Sequence, residues 1–435
     1  TASTESFAAL AGFTPNNSTW CALPQGASPS QPNSAYAGGA CPTGVDGIKM
    51  GEDKTPYTSN WDLMVDQEMP GHTVLEVQYI GNATRNALIT GNGSGESFYS
   101  NINKIPMGAM WGTYNLPGAP NNGQSLWQMA CNSGHCATSG APYYPGYRPY
   151  KDYGVLNVVQ HGSYSNYNGL VVALQKQTGR ATFLVNYTFS KVLGIRDGQS
   201  DNGNGDGAMV DPYNLRANYG PLSYDHTHIF NAAYVIHLPG VNAGHAVVRE
   251  FTTGWDLSGD TQLQSGAPIQ PNTQGTMNVQ WTGSAGNNYM LGTPSEPLLP
   301  YLTCDPRNNT RNGQRFNPSC FETPTTLGVN GPAVWPDITG PKFFSSDLAM
   351  AKTFKVHESQ NVEFRASAFN FLNHPLPQFG LGSDVNLQMG CDSNNQGSTT
   401  PTCNTGGMNT NQQTTGKPYF NTGRRVVEVA VKYNF

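Results

Sequence analysis

Residues 424–435 read RRVVEVAVKYNF, and this stretch decides the fold. Arg425, Val427, Val429, Val431, Tyr433 and Phe435 form one alternate set. Val426, Glu428, Ala430, Lys432 and Asn434 form the other. A period of two is the signature of a β-strand. One face is almost wholly apolar and ends in two aromatics, while the other carries Glu428 and Lys432. A strand that meets lipid on one side and water on the other needs this arrangement. The expectation is an all-β chain: an antiparallel transmembrane β-barrel built from such strands.

Composition agrees with that. The chain has 435 residues, net charge −5 and pI near 6.0, with only 12% charged residues against 37% hydrophobic ones. There is no basic patch, so nucleic acid is not an expected partner. No apolar run is long enough for a transmembrane helix. The 50 Gly and 31 Pro imply many turns and long loops. The opening TASTESFAAL lacks an initiator Met and a signal-peptide pattern, so Thr1 is expected to be a processed end or a fragment boundary.

Alternation recurs along the chain. The stretches 60–69, 73–83, 167–178, 181–193, 226–238, 253–266, 346–356 and 361–371 read as crossing strands, which makes nine with the last one. Short turns alternate with long loops at about 84–150, 194–222, 267–343 and 373–423, and residues 1–57 form a further external loop region before the barrel portion 58–435. Short turns on one side and long loops on the other are a barrel habit. The parity of crossings makes residues 153–160 (YGVLNVVQ) a separate external strand, not a further crossing. Nine is odd, whereas bacterial single-chain barrels are generally even. The chain therefore reads as the C-terminal portion of a larger barrel.

Eight cysteines fall into four local pairs within turn-rich stretches: Cys21 with Cys41, Cys131 with Cys136, Cys304 with Cys320, and Cys391 with Cys403. Disulfides pinning extracellular loops are the expectation, with free thiols as the alternative. Asn202, Asn204 and Asp206, followed by Gly207, resemble the first half of a calcium loop. The acid that should close such a loop is absent at its twelfth position, Tyr213, and a flexible Gly/Asn loop is the competing reading. His226 and His228 share a strand face and are weak candidates for a metal. No catalytic motif is present, so no enzyme and no cofactor is expected. Asp62, Glu76, Asp256 and Glu363 read as lumen-facing acids. Trp61, Tyr79, Phe189, Tyr234, Trp255 and Phe354 read as two interface girdles.

These features carry a family resemblance. NWDLMVDQEMPGHTVLEVQYIG (60–81), SNYNGLVVALQKQTGRATFLVNYTFSKVL (165–193), DPYNLRANYGPLSYDHTHIF (211–230), residues 254–268, FRASAFNFLNH (364–374) and the final strand resemble the C-terminal barrel of TonB-dependent outer-membrane receptors. Within them the sequence is similar to the Oar-like group, which carries a carboxypeptidase-regulatory-like domain. The resemblance implies a plugged barrel that imports a substrate through TonB, with lipid around it. It implies that the plug and remaining strands belong to another part of the receptor. It also implies that Val427, Val429, Val431, Tyr433 and Phe435 form the terminal signal read by the barrel-assembly machinery. The C-terminus is then periplasmic and the long loops extracellular. The competing reading is a structural or adhesive β-protein that self-assembles through open strand edges, and a soluble β-sandwich binding module is a third.

Overall fold

The computed structural model describes residues 45–48, 54–89, most of 102–112, 149, 156–195, most of 214–269, 279–282, most of 290–357, 360–378, 387–392, 402–408 and most of 417–435. Among the described residues, nine antiparallel strands follow one another in a single sheet. They are β1 (Tyr57–Met69), β2 (Thr73–Ile89), β3 (Leu156–Lys176), β4 (Ala181–Ile195), β5 (His228–His237), β6 (Trp255–Gln264), β7 (Phe343–His357), β8 (Gln360–Phe369) and β9 (Val426–Asn434). Each pairs with its neighbour in sequence. The order is the expected one. The sheet does not close, and β1 and β9 are its edges.

Of the stretch 153–160, residues 153–155 lie outside the described residues, and 156–160 depart from the expectation of a separate strand. Residues 156–176 form one continuous strand. His161, Gly162 and Ser163 do not break it, because β2 runs on to Ile89 and supplies partners: Ala87 faces Ser163, Leu88 faces His161 and Ile89 faces Gln160. Two register shifts near Ala87 absorb the irregularity, as bulges do. Val45–Ile48 then pairs in parallel with the first residues of β3.

Local chemistry sets the tight ends. Gly71 (φ 84°) and His72 (φ 57°) turn β1 into β2, and Gly179 (φ 96°) turns β3 into β4. Only glycine takes positive φ without steric cost. On the sheet, Trp61 lies across its cross-strand partner Gly81, where a Cβ would fall 2.0 Å from the indole Nε1. Tyr234 covers Gly259 in the same way. In each pair the ring covers the surface its glycine partner leaves open.

The register sorts side chains into two faces. One rung runs Val65, Val77, Val172, Tyr187, Phe230, Leu263, Phe344. Another runs Ala181, Ile236, Leu257, Met350, Ala366, Val429. Both lie on one apolar face. The rungs of the opposite face read Asp66, Glu76, Ala173, Asn186, Asn231, Gln262, Ser345, and His237, Asp256, Ala351, Arg365, Ala430. The rung that leaves the last residue of β1, Met69, arrives at Val427, the second residue of β9. Such a stagger is what tilted strands need to curl towards a barrel.

The conventional core lies elsewhere. Leu291, Leu298, Leu299, Phe316, Phe321, Trp335 and Ile338 are buried, and all belong to the long connection between β6 and β7. Phe321 packs against both Trp335 (4.8 Å) and Phe316 (5.8 Å). Among the described residues of the nine strands, buried hydrophobic side chains lie at the long-loop end of β4, at Val192 and Ile195.

Candidate functional site

The acids of the nine strands gather on the polar face. Asp62, Glu76, Asp256 and Glu363 all lie on it by register, and so do Asp66, Glu68, Asp260, Asp347 and Glu428. Asp66 stands directly opposite Glu76, and Asp260 opposite Asp347. Like charges in directly opposed positions destabilise a sheet unless water screens them. Two of the other acids have polar partners. Glu363 faces Lys432, and His237 Nδ1 lies 2.5 Å from Asp256 Oδ1. Strands β3 to β5 contain no acid at all, and Asn186 Oδ1 accepts from Asn231 Nδ2 at 3.1 Å on their polar face. A concave patch on β5 to β9 gathers Ser258, Asp260, Asp347, Arg365, Ser367 and Glu428. It offers anionic groups around one guanidinium, a surface suited to polar solutes.

The long-loop end is built by side-chain clamps. Asp225 is buried. It accepts from Lys191 Nζ and from the Val192 amide, both at 2.7 Å, and so pins the entry of β5 to β4. Beside it Tyr164 and Tyr219 stack at 5.4 Å, with the Arg85 guanidinium 5.7 Å from the Tyr164 ring. Burial, then the neighbouring Tyr164, pushes the Tyr219 phenol above its ordinary value. Its hydroxyl donates to Asn166 Oδ1. At the exit of β8, Asn370 takes a left-handed conformation. Its side chain donates to the carbonyls of His374 and Gly423, while its amide donates to Asp347 Oδ1. Asn373 Oδ1 accepts from the Arg425 amide at 3.2 Å. FNFLNH thus fixes where β9 begins.

The residues singled out from sequence fall as follows. All six aromatics lie on the apolar face: Trp61 towards the long-loop end, Tyr79 and Phe189 on one rung near mid-strand, and Tyr234, Trp255 and Phe354 towards the short-turn end. Tyr79 turns its hydroxyl to Asn168 Oδ1 at 2.7 Å. His226 and His228 have separate partners: His226 Nδ1 is 2.7 Å from the Ser265 carbonyl, and His228 Nδ1 is 2.7 Å from the Tyr187 hydroxyl. Among the described residues no group of three His, Cys, Asp or Glu is placed to hold a metal. Asn202, Asn204 and Asp206 lie outside the described residues, as do Cys21, Cys41, Cys131 and Cys136. Cys304 and Cys320 are joined by a disulfide. Cys391 and Cys403 are register partners in a short antiparallel pair. Val427, Val429, Val431 and Tyr433 form the apolar row of β9, and Phe435 follows it, almost fully exposed.

Sequence reasoning missed Asp225 and Asn370 as clamps. Asp225 opens DHTHIF at a strand entry and Asn370 lies at a strand exit. A short polar side chain at such a junction is the signal that marks a backbone clamp. It also missed a short helix, α1 (Ala246–Thr252), in the connection between β5 and β6.

A family model described as an outer membrane beta barrel domain matches residues 2–418. No curated protein matches the chain. Among solved structures it is similar to the ferric-catecholate import receptor Fiu of Escherichia coli K12 in its closed form, at 8% identity and a TM-score of 0.34, over 89% of this chain and 30% of that one. It is similar to the outer membrane transporter YddB of Escherichia coli, at 7% identity and a TM-score of 0.34, over 78% of this chain and 31% of that one. The chain therefore spans under a third of the length of either.

Proposed function

This chain belongs to the outer membrane beta barrel domain family, and from that premise we propose that it is the C-terminal barrel portion of a TonB-dependent receptor of the Oar-like group. The apolar face meets outer-membrane lipid. The polar face lines a lumen through which a substrate is imported once a plug moves. The plug and the missing strands come from the remaining part of the receptor, and TonB acts through that part. Short turns and the C-terminus face the periplasm, and the disulfide-pinned loops capture substrate outside. No catalytic step is involved.

The observation that carries this reading is the open sheet with one apolar and one polar face. β1 and β9 both run from the long-loop end to the short-turn end, so they would meet in parallel. Antiparallel closure requires an odd number of further strands between them. The test is to purify the whole receptor from outer membranes and titrate it with the soluble domain of TonB. A stoichiometric complex is expected. No complex, together with a barrel that conducts ions without any plug being removed, would overturn the reading.

A second reading has one observation in its favour. Every residue of β1 is exposed, and β9 is exposed up to its last residue. Unpaired edges of that length template pairing with further copies. Filaments formed in water without lipid would support an adhesive, self-assembling protein over a receptor.

A further inference from the structure

We propose that α1 is a lipid-anchoring element, a short helix that lies in the phospholipid headgroup layer on the short-turn side and grips it. This rests on the membrane reading of the sheet and extends it to a surface outside the strands.

Its position comes first. α1 is held against the apolar face, not the polar one. Phe251 packs edge-on to Phe354 at 5.7 Å. The indole Nε1 of Trp255 donates to the Phe251 carbonyl at 2.8 Å. The Lys352 ammonium donates to the carbonyls of Glu250 and Thr253. Lys352, Phe354 and Trp255 all stand on the apolar face, and Lys352 is the register partner of both Trp255 and Phe364. The helix is therefore continuous with the surface that meets lipid.

Its chemistry comes second. Val247 (69% exposed), Val248 and Phe251 (61%) point outward, as does Val356 at the end of β7. Positions 247, 248 and 251 share one helical side, with Arg249 and Glu250 away from it. An apolar stripe beside charged residues is what an interfacial helix presents to headgroups.

Its backbone comes third. Seven residues are too few for a helix that stands alone in water, and the last carbonyls of a helix have no internal partners. Here the carbonyls of Arg249, Glu250 and Phe251 are satisfied. Val248 O accepts from Thr252 Oγ1 at 2.8 Å, and Arg249 O accepts from the Thr253 amide and hydroxyl. Trp255 serves Phe251 O, and Lys352 serves Glu250 O and Thr253 O. An interfacial helix reaches the acyl boundary with its apolar side, where water is scarcer and internal partners count for more. The same contacts turn Lys352, only 2% exposed, inward to the carbonyls and away from the bilayer.

The test places the photo-crosslinker p-benzoylphenylalanine, one site at a time, at positions 251, 248, 429 and 258 of the protein in vesicles of phosphatidylethanolamine and phosphatidylglycerol. Folding is checked by heat-modifiable mobility, and phospholipid adducts are read by mass spectrometry. Adducts at 251, 248 and 429, with none at the polar-face position 258, are expected. Adducts at 429 without any at 251 or 248 overturn the anchor and leave the barrel reading standing. No adduct at 429 overturns the lipid-facing assignment of the sheet, and no adduct at any position overturns both.

Discussion

The ammonium group of Lys352 donates to the main-chain carbonyl of Thr253, although Lys352 stands in an apolar row between Met350 and Phe354. It also lies 4.8 Å from the centre of the Phe354 ring. Lys352→Met keeps the stem and removes the donor, so the Glu250 and Thr253 carbonyls lose their partner. A charged hydrogen bond of this kind contributes about 1.5–3 kcal/mol. The variant is expected to lose that much in urea unfolding from vesicles.

Val429 and Glu428 are neighbours on opposite faces of β9. Val429→Arg is expected to cost about 2–4 kcal/mol near the membrane midplane, seen as reduced heat-modifiable barrel. Glu428→Gln changes only the wet face, and its folding yield is expected to match the parent. Equal losses in both variants would place lipid on neither side.

Cys304 and Cys320 close a loop of 16 residues in the β6–β7 connection. Chain-entropy arguments give about 3 kcal/mol for a crosslink of this span. Cys304→Ser is expected to expose the connection to limited proteolysis while the strands stay protected. Non-reducing peptide mapping of the parent should return the 304–320 pair.

Tyr219 holds its proton beyond its ordinary pKa of 10.0, first through burial and then through Tyr164. As pH rises past 10 the unfolded chain loses this proton before the folded one does. The neutral phenol therefore stabilises the fold fully below pH 10, and that contribution fades as pH climbs to the folded pKa. The phenolate absorbance lost in Tyr219→Phe, read as a difference from the parent, should titrate above pH 10.

Gly266 passes so close to the other side of the loop that an added Cβ would lie 2.0 Å from the Gly340 carbonyl oxygen. Backbone cannot retreat there, because the Gly340 amide donates to Ala267 O at 2.8 Å and Ile269 N donates to Ile338 O at 2.7 Å. Gly266→Ala is expected to cost about 1–3 kcal/mol, with the damage confined to the β6–β7 connection in hydrogen exchange.

The strands were legible because each is long, alternates, and is read against two solvents. That Val65, Val77 and Val172 each lie on the apolar face of their own strand follows from alternation alone, and the register then joins them in one rung. Parity kept 156–160 from counting as a further crossing, and the nine-strand order agrees; their continuity with β3 was not legible, because the bulged partner that carries the strand through lies on β2. The loop core left no periodic trace. Phe316, Phe321 and Trp335 meet only after irregular backbone folds back on itself, and nothing in their spacing announces it. Helix α1 is too short for its period to stand out, and nothing in the spacing around Lys352 announces its carbonyl partners. The acids of the polar face were legible one strand at a time. The opposition of Asp66 to Glu76 and of Asp260 to Asp347 needed the register.

The dry core around Trp335 has a consequence for how such a chain changes over time. The sheet takes its order from the bilayer and from backbone pairing, and the β6–β7 connection takes its order from its own packed interior and the Cys304–Cys320 crosslink. Two regions that draw stability from different sources tolerate substitution independently. The β6–β7 module can drift, or be exchanged for another of equal span, without re-solving the problem of inserting strands into a membrane. One chain then carries two parts that can change at separate rates.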